Sequence, residues 1–332
     1  MKITVSAVFL LLFIAVLGCY VLLSLDDWQS EVRSPRTVQS MQLLPLKDGD
    51  VIRWIQIQNA AKNLTVTLES EEGVWKVRYP VASEADALVV EGLVTALKLS
   101  TKARRFTAEK DWEEYGLLKP TIKVGIETRK HSKRKYLCLG DVAPTGNFIY
   151  ARWEGENEYF LLQADLKNVF DQTLYGLRMK RVFRIPLKDL DKIVIRNLSA
   201  AYELSKVGEG WYWVEPLSLL GEAVDKKDVD YVFSQIERMN VKDFLDGMDQ
   251  ARTDPGFSAV EAYLKIRSGR SKEELLRLGR ALPPRDAYYA VRSGAAEVFL
   301  VSKSNLDNFF QEMSGMVRSS LTRQAAAVAA AP

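Results

Sequence analysis

Apolar residues along this chain fall into one unbroken run, many short alternating stretches and two helical stripes. The run covers residues 3–25, 23 positions without a charge. As a helix it would be about 34 Å long, enough to cross a hydrocarbon core. Alternation starts at Ile55 and Ile57 and continues through Leu64, Val66 and Leu68 to Trp75 and Val77. Period-2 patterning broken by turn residues predicts an antiparallel meander. Asp86 then opens a stripe of Val90, Leu93, Val94 and Leu97, the spacing of one buried helical face behind an N-cap. More alternating stretches follow around Ile122–Ile126, Tyr136–Leu139, Phe148–Tyr150 and Tyr159–Leu162, closed by a helix near residues 165–177.

The pattern then starts again. Gly73 to Pro80 and Gly210 to Pro216 each carry a Trp five positions before a Pro, Trp75/Pro80 and Trp211/Pro216. Ile193 and Ile195 match Ile55 and Ile57, Asp225 matches Asp86, and Val229, Val232, Phe233 and Ile236 repeat the stripe. Leu278-Gly279 matches Leu139-Gly140, and all these offsets lie between 136 and 140. Small drifts of this kind are expected where insertions fall in turns. The expected fold class is α+β: a tandem duplication of an antiparallel-sheet-plus-helix module after an N-terminal transmembrane helix. The boundaries are 1–25 for a signal anchor, 26–50 for a stalk, 51–180 and 181–320 for the two units, and 321–332 for a low-complexity tail.

Lys2 precedes the apolar run and Asp26-Asp27 follow it. The positive flank is expected to stay inside, which predicts a single pass of the inner (cytoplasmic) membrane with the bulk extracytoplasmic or periplasmic. Val16-Leu17-Gly18-Cys19 also matches a lipoprotein processing box, although the apolar run continues through Tyr20 to Leu23. Uncleaved anchor and lipidated Cys19 both leave the protein tethered. The stalk carries Pro35 and Pro45, and Trp28 sits where interfacial aromatics anchor.

Charge and chemistry narrow the functional classes. With 46 basic and 43 acidic residues the net charge is only +3, so nucleic acid is not an expected partner. There is one histidine, His131, in the basic stretch Arg129 to Lys135, and one cysteine outside the apolar run, Cys138. Neither the common zinc sets nor a conventional Ser-His-Asp or Cys-His pairing is expected. His131 reads as a general base or as part of a solvated hairpin tip, and nothing near it in sequence supplies an orienting acid. The matching tip, Arg267 to Lys272, is also basic, and two such tips could meet phosphate-bearing lipid or an acidic partner. Asp225 and Asp228 read as a helix cap and first-turn acid, and Trp211 and Trp213 share one strand face, which reads as core. No catalytic, metal or cofactor-binding residue is assigned, and no cofactor is expected.

Several landmarks together carry a family likeness. They are the Trp-x-x-x-x-Pro stretch before Ala85-Asp86, Tyr115-Gly116-Leu117 with Pro120, Leu139-Gly140, and Tyr150-Ala151-Arg152. The chain resembles a bacterial domain-of-unknown-function family of single-pass membrane-anchored proteins with a duplicated extracytoplasmic module. Such proteins are often encoded beside gliding-motility-type ABC transporter components. The second copy departs from the pattern, with Pro255-Gly256-Phe257 where Tyr115-Gly116-Leu117 would recur. The expectation is a non-enzymatic accessory or scaffold working with an ABC-type transporter or another envelope complex. The alternatives are a carboxylate-dependent envelope hydrolase and a lipid- or polysaccharide-binding module.

Overall fold

A computed structural model describes residues 41–46, 49–107, 112–247, 254–257, 262–294 and 297–330. The expected anchor and most of the stalk lie outside the described residues. Among the described residues no helix is long and apolar enough to cross a membrane. The chain divides into two compact units, Met1–Met179 and Lys180–Pro332. Each is mainly antiparallel sheet with a few helices, an α+β architecture.

The first unit contains β1 (Ile52–Asn59), β2 (Leu64–Glu71), β3 (Val74–Tyr79), β4 (Ser83–Glu84), α1 (Ala87–Leu99) and β5 (Arg104–Thr107). It continues with β6 (Ile122–Thr128), β7 (Lys135–Val142), β8 (Phe148–Trp153), β9 (Glu158–Gln163), α2 (Asp165–Phe170) and α3 (Leu174–Leu177). The sheet order is β4-β3-β2-β1-β6-β7-β8-β9-β5. Because β4 and β5 lie on opposite edges, α1 must cross a face of the sheet between them. It does so with Val90, Leu93 and Leu97 buried in the same core as Ile55, Ile57, Leu68 and Ile126. Its Asp86 cap accepts the Val89 N–H at 3.4 Å, and Val94 is only half-buried.

The second unit runs β10 (Lys192–Arg196), β11 (Ala201–Val207), β12 (Gly210–Glu215), α4 (Lys226–Arg238) and β13 (Asp243–Phe244). Then come β14 (Ala262–Ser268), β15 (Lys272–Ala281), β16 (Tyr288–Arg292), β17 (Val298–Val301) and α5 (Lys303–Ala329). Its order, β12-β11-β10-β14-β15-β16-β17-β13, is that of the first sheet without β4. The registers agree too: Ile55 lies opposite Leu68 and Ile126, and Ile193 lies opposite Leu204 and Ile266. Trp75 and Trp211 are both buried core residues on the strand after the first hairpin, and Trp213 is fully buried. Val229, Val232 and Ile236 of α4 face this core, with Phe233 half-buried edge-on to Trp211.

Two expectations change. Asp225 stands at the N-cap of α4 but its side chain makes no cap hydrogen bond. It pairs instead with Arg323 of α5, because a long helix brings that guanidinium within reach. That helix extends to Ala329, into the stretch expected to be a low-complexity tail, and buries Leu306, Phe309, Met313 and Met316. The second change concerns the motif that departs between the units. Gly116 and Gly256 both have positive φ (65° and 76°). A Cβ on Gly140 would lie 2.2 Å from the Tyr115 carbonyl oxygen, and one on Gly279 would lie 2.2 Å from that of Pro255. The carbonyls accept the N–H of Asp141 (2.9 Å) and Arg280 (2.7 Å). The position demands a close backbone approach, so the side chains are free to differ.

Candidate functional site

The chain enters the first unit as a strap. Leu43 donates its N–H to the Ser100 carbonyl (2.8 Å), just beyond α1, and its side chain is only 1% exposed. The end of the stretch read as a stalk therefore packs on this unit. Leu44 and Leu46 lie half-buried against the core. Between this strap and the β6–β7 hairpin lies a cleft of about 300 Å³, near the lower limit of small-molecule sites. Its apolar walls are Leu44, Pro45, Leu46 and Ile126, and its polar side holds Asp50, Thr128, His131, Lys133 and Lys135.

Asp50 organises the polar side. One carboxylate oxygen accepts the N–H groups of Val51 and Lys130, each at 3.0 Å. The other accepts the Thr128 hydroxyl at 2.8 Å and faces His131 Nδ1 at 3.3 Å. Thr128 Oγ1 in turn accepts the His131 N–H at 3.2 Å. Burial pushes the Asp50 carboxyl up, but these donors together hold it below the ordinary aspartate value. An ionised carboxylate can only accept, so the imidazole nitrogen facing it, Nδ1, carries a proton. The His131 side chain is 66% exposed while that of Asp50 is 1% exposed. His131 thus has an orienting acid after all. Asp50 stands 81 positions earlier in the chain, so nothing in the local sequence reveals it.

This arrangement orients an imidazole but supplies no nucleophile. The Thr128 proton is donated to Asp50. Among the described residues no hydroxyl or thiol hydrogen-bonds to Nε2. Cys138 is buried, and desolvation pushes its thiol up, away from the reactive thiolate form. Beside the tip, Glu127 accepts from Arg53 (2.7 Å) and Arg134 (3.2 Å), while Arg134 stacks over Trp54 at 4.2 Å. Burial raises the Glu127 carboxyl, yet these two guanidinium groups hold it below its usual range. The outer sheet face carries a second cluster in which Tyr159 stacks on Tyr115 and Phe106, beside Leu117. Burial, and then Tyr115, pushes the Tyr159 phenol up to about 12, so it stays protonated and acts as packing.

The equivalent place in the second unit is built differently. Asp191 accepts Arg267 Nε (2.9 Å) and the Gly269 N–H (2.8 Å), again tying the sheet's first strand to the hairpin tip. Lys135, opposite Ile126, is matched by Glu274, opposite Ile266. Glu274 accepts the N–H groups of Arg184 (2.7 Å) and Ile185 (3.4 Å), which pins the entering strap to the hairpin.

Comparison with protein families gives one match, described as Domain of unknown function (DUF4340), over residues 75–260. This is more than half of the chain. The chain belongs to the DUF4340 family. The DUF4340 match opens at Trp75 in β3 and closes between β13 and β14, so it draws on both units and coincides with neither. No curated protein and no solved structure matches the chain.

The sequence reading missed Asp50, Thr128 and the strap as parts of one site. Gly49-Asp50 before an alternating stretch carries only the signal of a turn.

Proposed function

We propose that this DUF4340 protein is a membrane-tethered extracytoplasmic accessory protein that works by binding, with an ABC-type transporter or another envelope complex as its partner. On this reading its two units derive from a tandem duplication, for which the common strand order and the Gly140/Gly279 approach speak. One observation supports binding over catalysis: Asp50, Glu127, Asp171 and Asp225 are engaged in holding the frame. Asp50 knits the strap to the hairpin, and Glu127 is clamped by two arginines. Asp225 pairs with Arg323, and Asp171 accepts from Asn59 (2.6 Å) and pairs with Lys62 (2.9 Å). Carboxylates held this way are poor candidates for the paired acid and base of a hydrolase.

The test compares deletion of residues 51–320 with His131→Ala and Asp50→Asn in the full chain. Deletion is expected to abolish both the cellular phenotype and co-purification of a membrane partner. The point variants are expected to retain both. Loss of the phenotype in Asp50→Asn, with fold and partner intact, would favour the hydrolase reading instead.

A further inference from the structure

The geometry points to the strap–hairpin cleft of the first unit as a binding site for one acyl chain of an anionic lipid. This goes beyond the choice of partner and draws only on the reading that the chain is tethered to a membrane. The walls of the cleft, Leu44, Pro45, Leu46 and Ile126, offer no hydrogen-bonding side chain, so an aliphatic segment fits them. The rim is cationic: Lys133 and Lys135 line it, and both are exposed. Asp50, the carboxylate among the lining residues, is already occupied by four donors and buried beneath them. It therefore leaves the rim charge largely uncompensated at the mouth. A long aliphatic chain ending in a negative head satisfies both halves at once, whereas a sugar or a free anion satisfies only one.

Two further observations fix the choice. Glu274 occupies the Lys135 position in the second unit and closes the corresponding strap onto its hairpin. The open, lysine-rimmed form is thus particular to the unit nearer the apolar run. The strap forming one wall is also continuous with that run: only 18 residues separate Leu25 from Leu44. That length lets the cleft reach the membrane surface, where anionic headgroups attract lysines.

The experiment uses the full chain in nanodiscs of neutral phospholipid, with a dodecyl phosphate carrying a photoactivatable group near its chain end. Crosslinks mapped by mass spectrometry are expected on residues 44–46 or on Ile126. Leu46→Asp and the double change Lys133→Glu/Lys135→Glu should each lower this labelling about tenfold or more. The lysines are exposed, so the second variant stays informative even if the first disturbs folding. The same chain on a maltoside head should label about tenfold less, and millimolar inorganic phosphate should not compete. Equal labelling by the maltoside, displacement by phosphate alone, or crosslinks unchanged in the charge-reversed variant would each overturn the assignment. Failure here would leave the deletion phenotype and partner co-purification untouched, so the two readings fail separately.

Discussion

Each unit receives its chain through a strap that must settle against one hairpin of its sheet, β6–β7 in the first and β14–β15 in the second, and the two solve this differently. In the second, Glu274 reaches across and accepts two strap N–H groups, so strap and hairpin are joined. In the first, the matching residue is Lys135, which has no acceptor to offer, and a cleft remains between the two segments. Both units fasten the hairpin tip from below, through Asp50 with Lys130, Thr128 and His131 in the first and through Asp191 with Arg267 and Gly269 in the second. One frame therefore carries a closed junction and an open one. At one β-ladder position the charge sign is reversed between them, Lys135 against Glu274. What the sheet holds in common is backbone geometry, and what differs is which side chain satisfies the strap.

The common frame can be broken hardest at its largest core residue. Trp213 is fully buried where the first unit has Val77, each opposite the matching leucine of the neighbouring strand. Trp213→Ala should lower stability by about 3–5 kcal/mol in denaturant melts. Val77→Ala removes less apolar surface and should cost roughly 1.5–3 kcal/mol.

The glycines offer a sharper comparison. Gly140→Ala and Gly279→Ala each force a methyl against a carbonyl oxygen at the same 2.2 Å. Both should destabilise, by about 1–3 kcal/mol each, and by similar amounts if the frames are equivalent. A large loss at one and none at the other would separate the two frames.

At the junction itself, Glu274→Ala should cost about 0.5–1.5 kcal/mol by removing the acceptor of two strap N–H groups. Lys135→Ala should be nearly silent in the same melts. Hydrogen exchange at Arg184 and Ile185 should quicken in the first variant alone.

The smallest expected effect is on acid stability. Asp286 accepts the Ser304 N–H (2.7 Å) and the Ser302 and Ser304 hydroxyls at the start of α5, with Lys242 nearby. The Ser304 backbone N–H foremost, then its hydroxyl, hold the carboxyl at about 2, below its ordinary 3.8. A depressed carboxyl stabilises the fold above its unfolded value and loses that contribution as pH falls through the folded one. Circular dichroism should therefore show Asp286→Asn flattening the loss of stability between about pH 4 and 2. Asp50→Asn should act in the same direction, starting from the same upper limit, because its carboxyl is also lowered.

The alternating stretches, the α1 and α4 stripes and the core tryptophans were legible in the sequence, because each signal repeats within a few residues. Ile55, Ile57, Val90, Leu93, Val229 and Trp211 are buried where their spacing places them. Side-chain pairing was less legible even locally: Asp225 occupies its cap position yet turns to Arg323, a partner 98 residues away. The close approach at Gly279 was hidden for another reason, since the motif facing it keeps its backbone and changes its side chains.

The sequence by itself determined which residues alternate, which face a helix and where a charge-free run sits, since local periodicity is set by backbone geometry. Only the tertiary structure decided that Asp50 meets His131, that a strap lies beside Ile126, and that Lys135 and Glu274 occupy one position with opposite outcomes. Those contacts depend on registers accumulated across several strands. A residue's nearest neighbours in sequence carry no record of that sum.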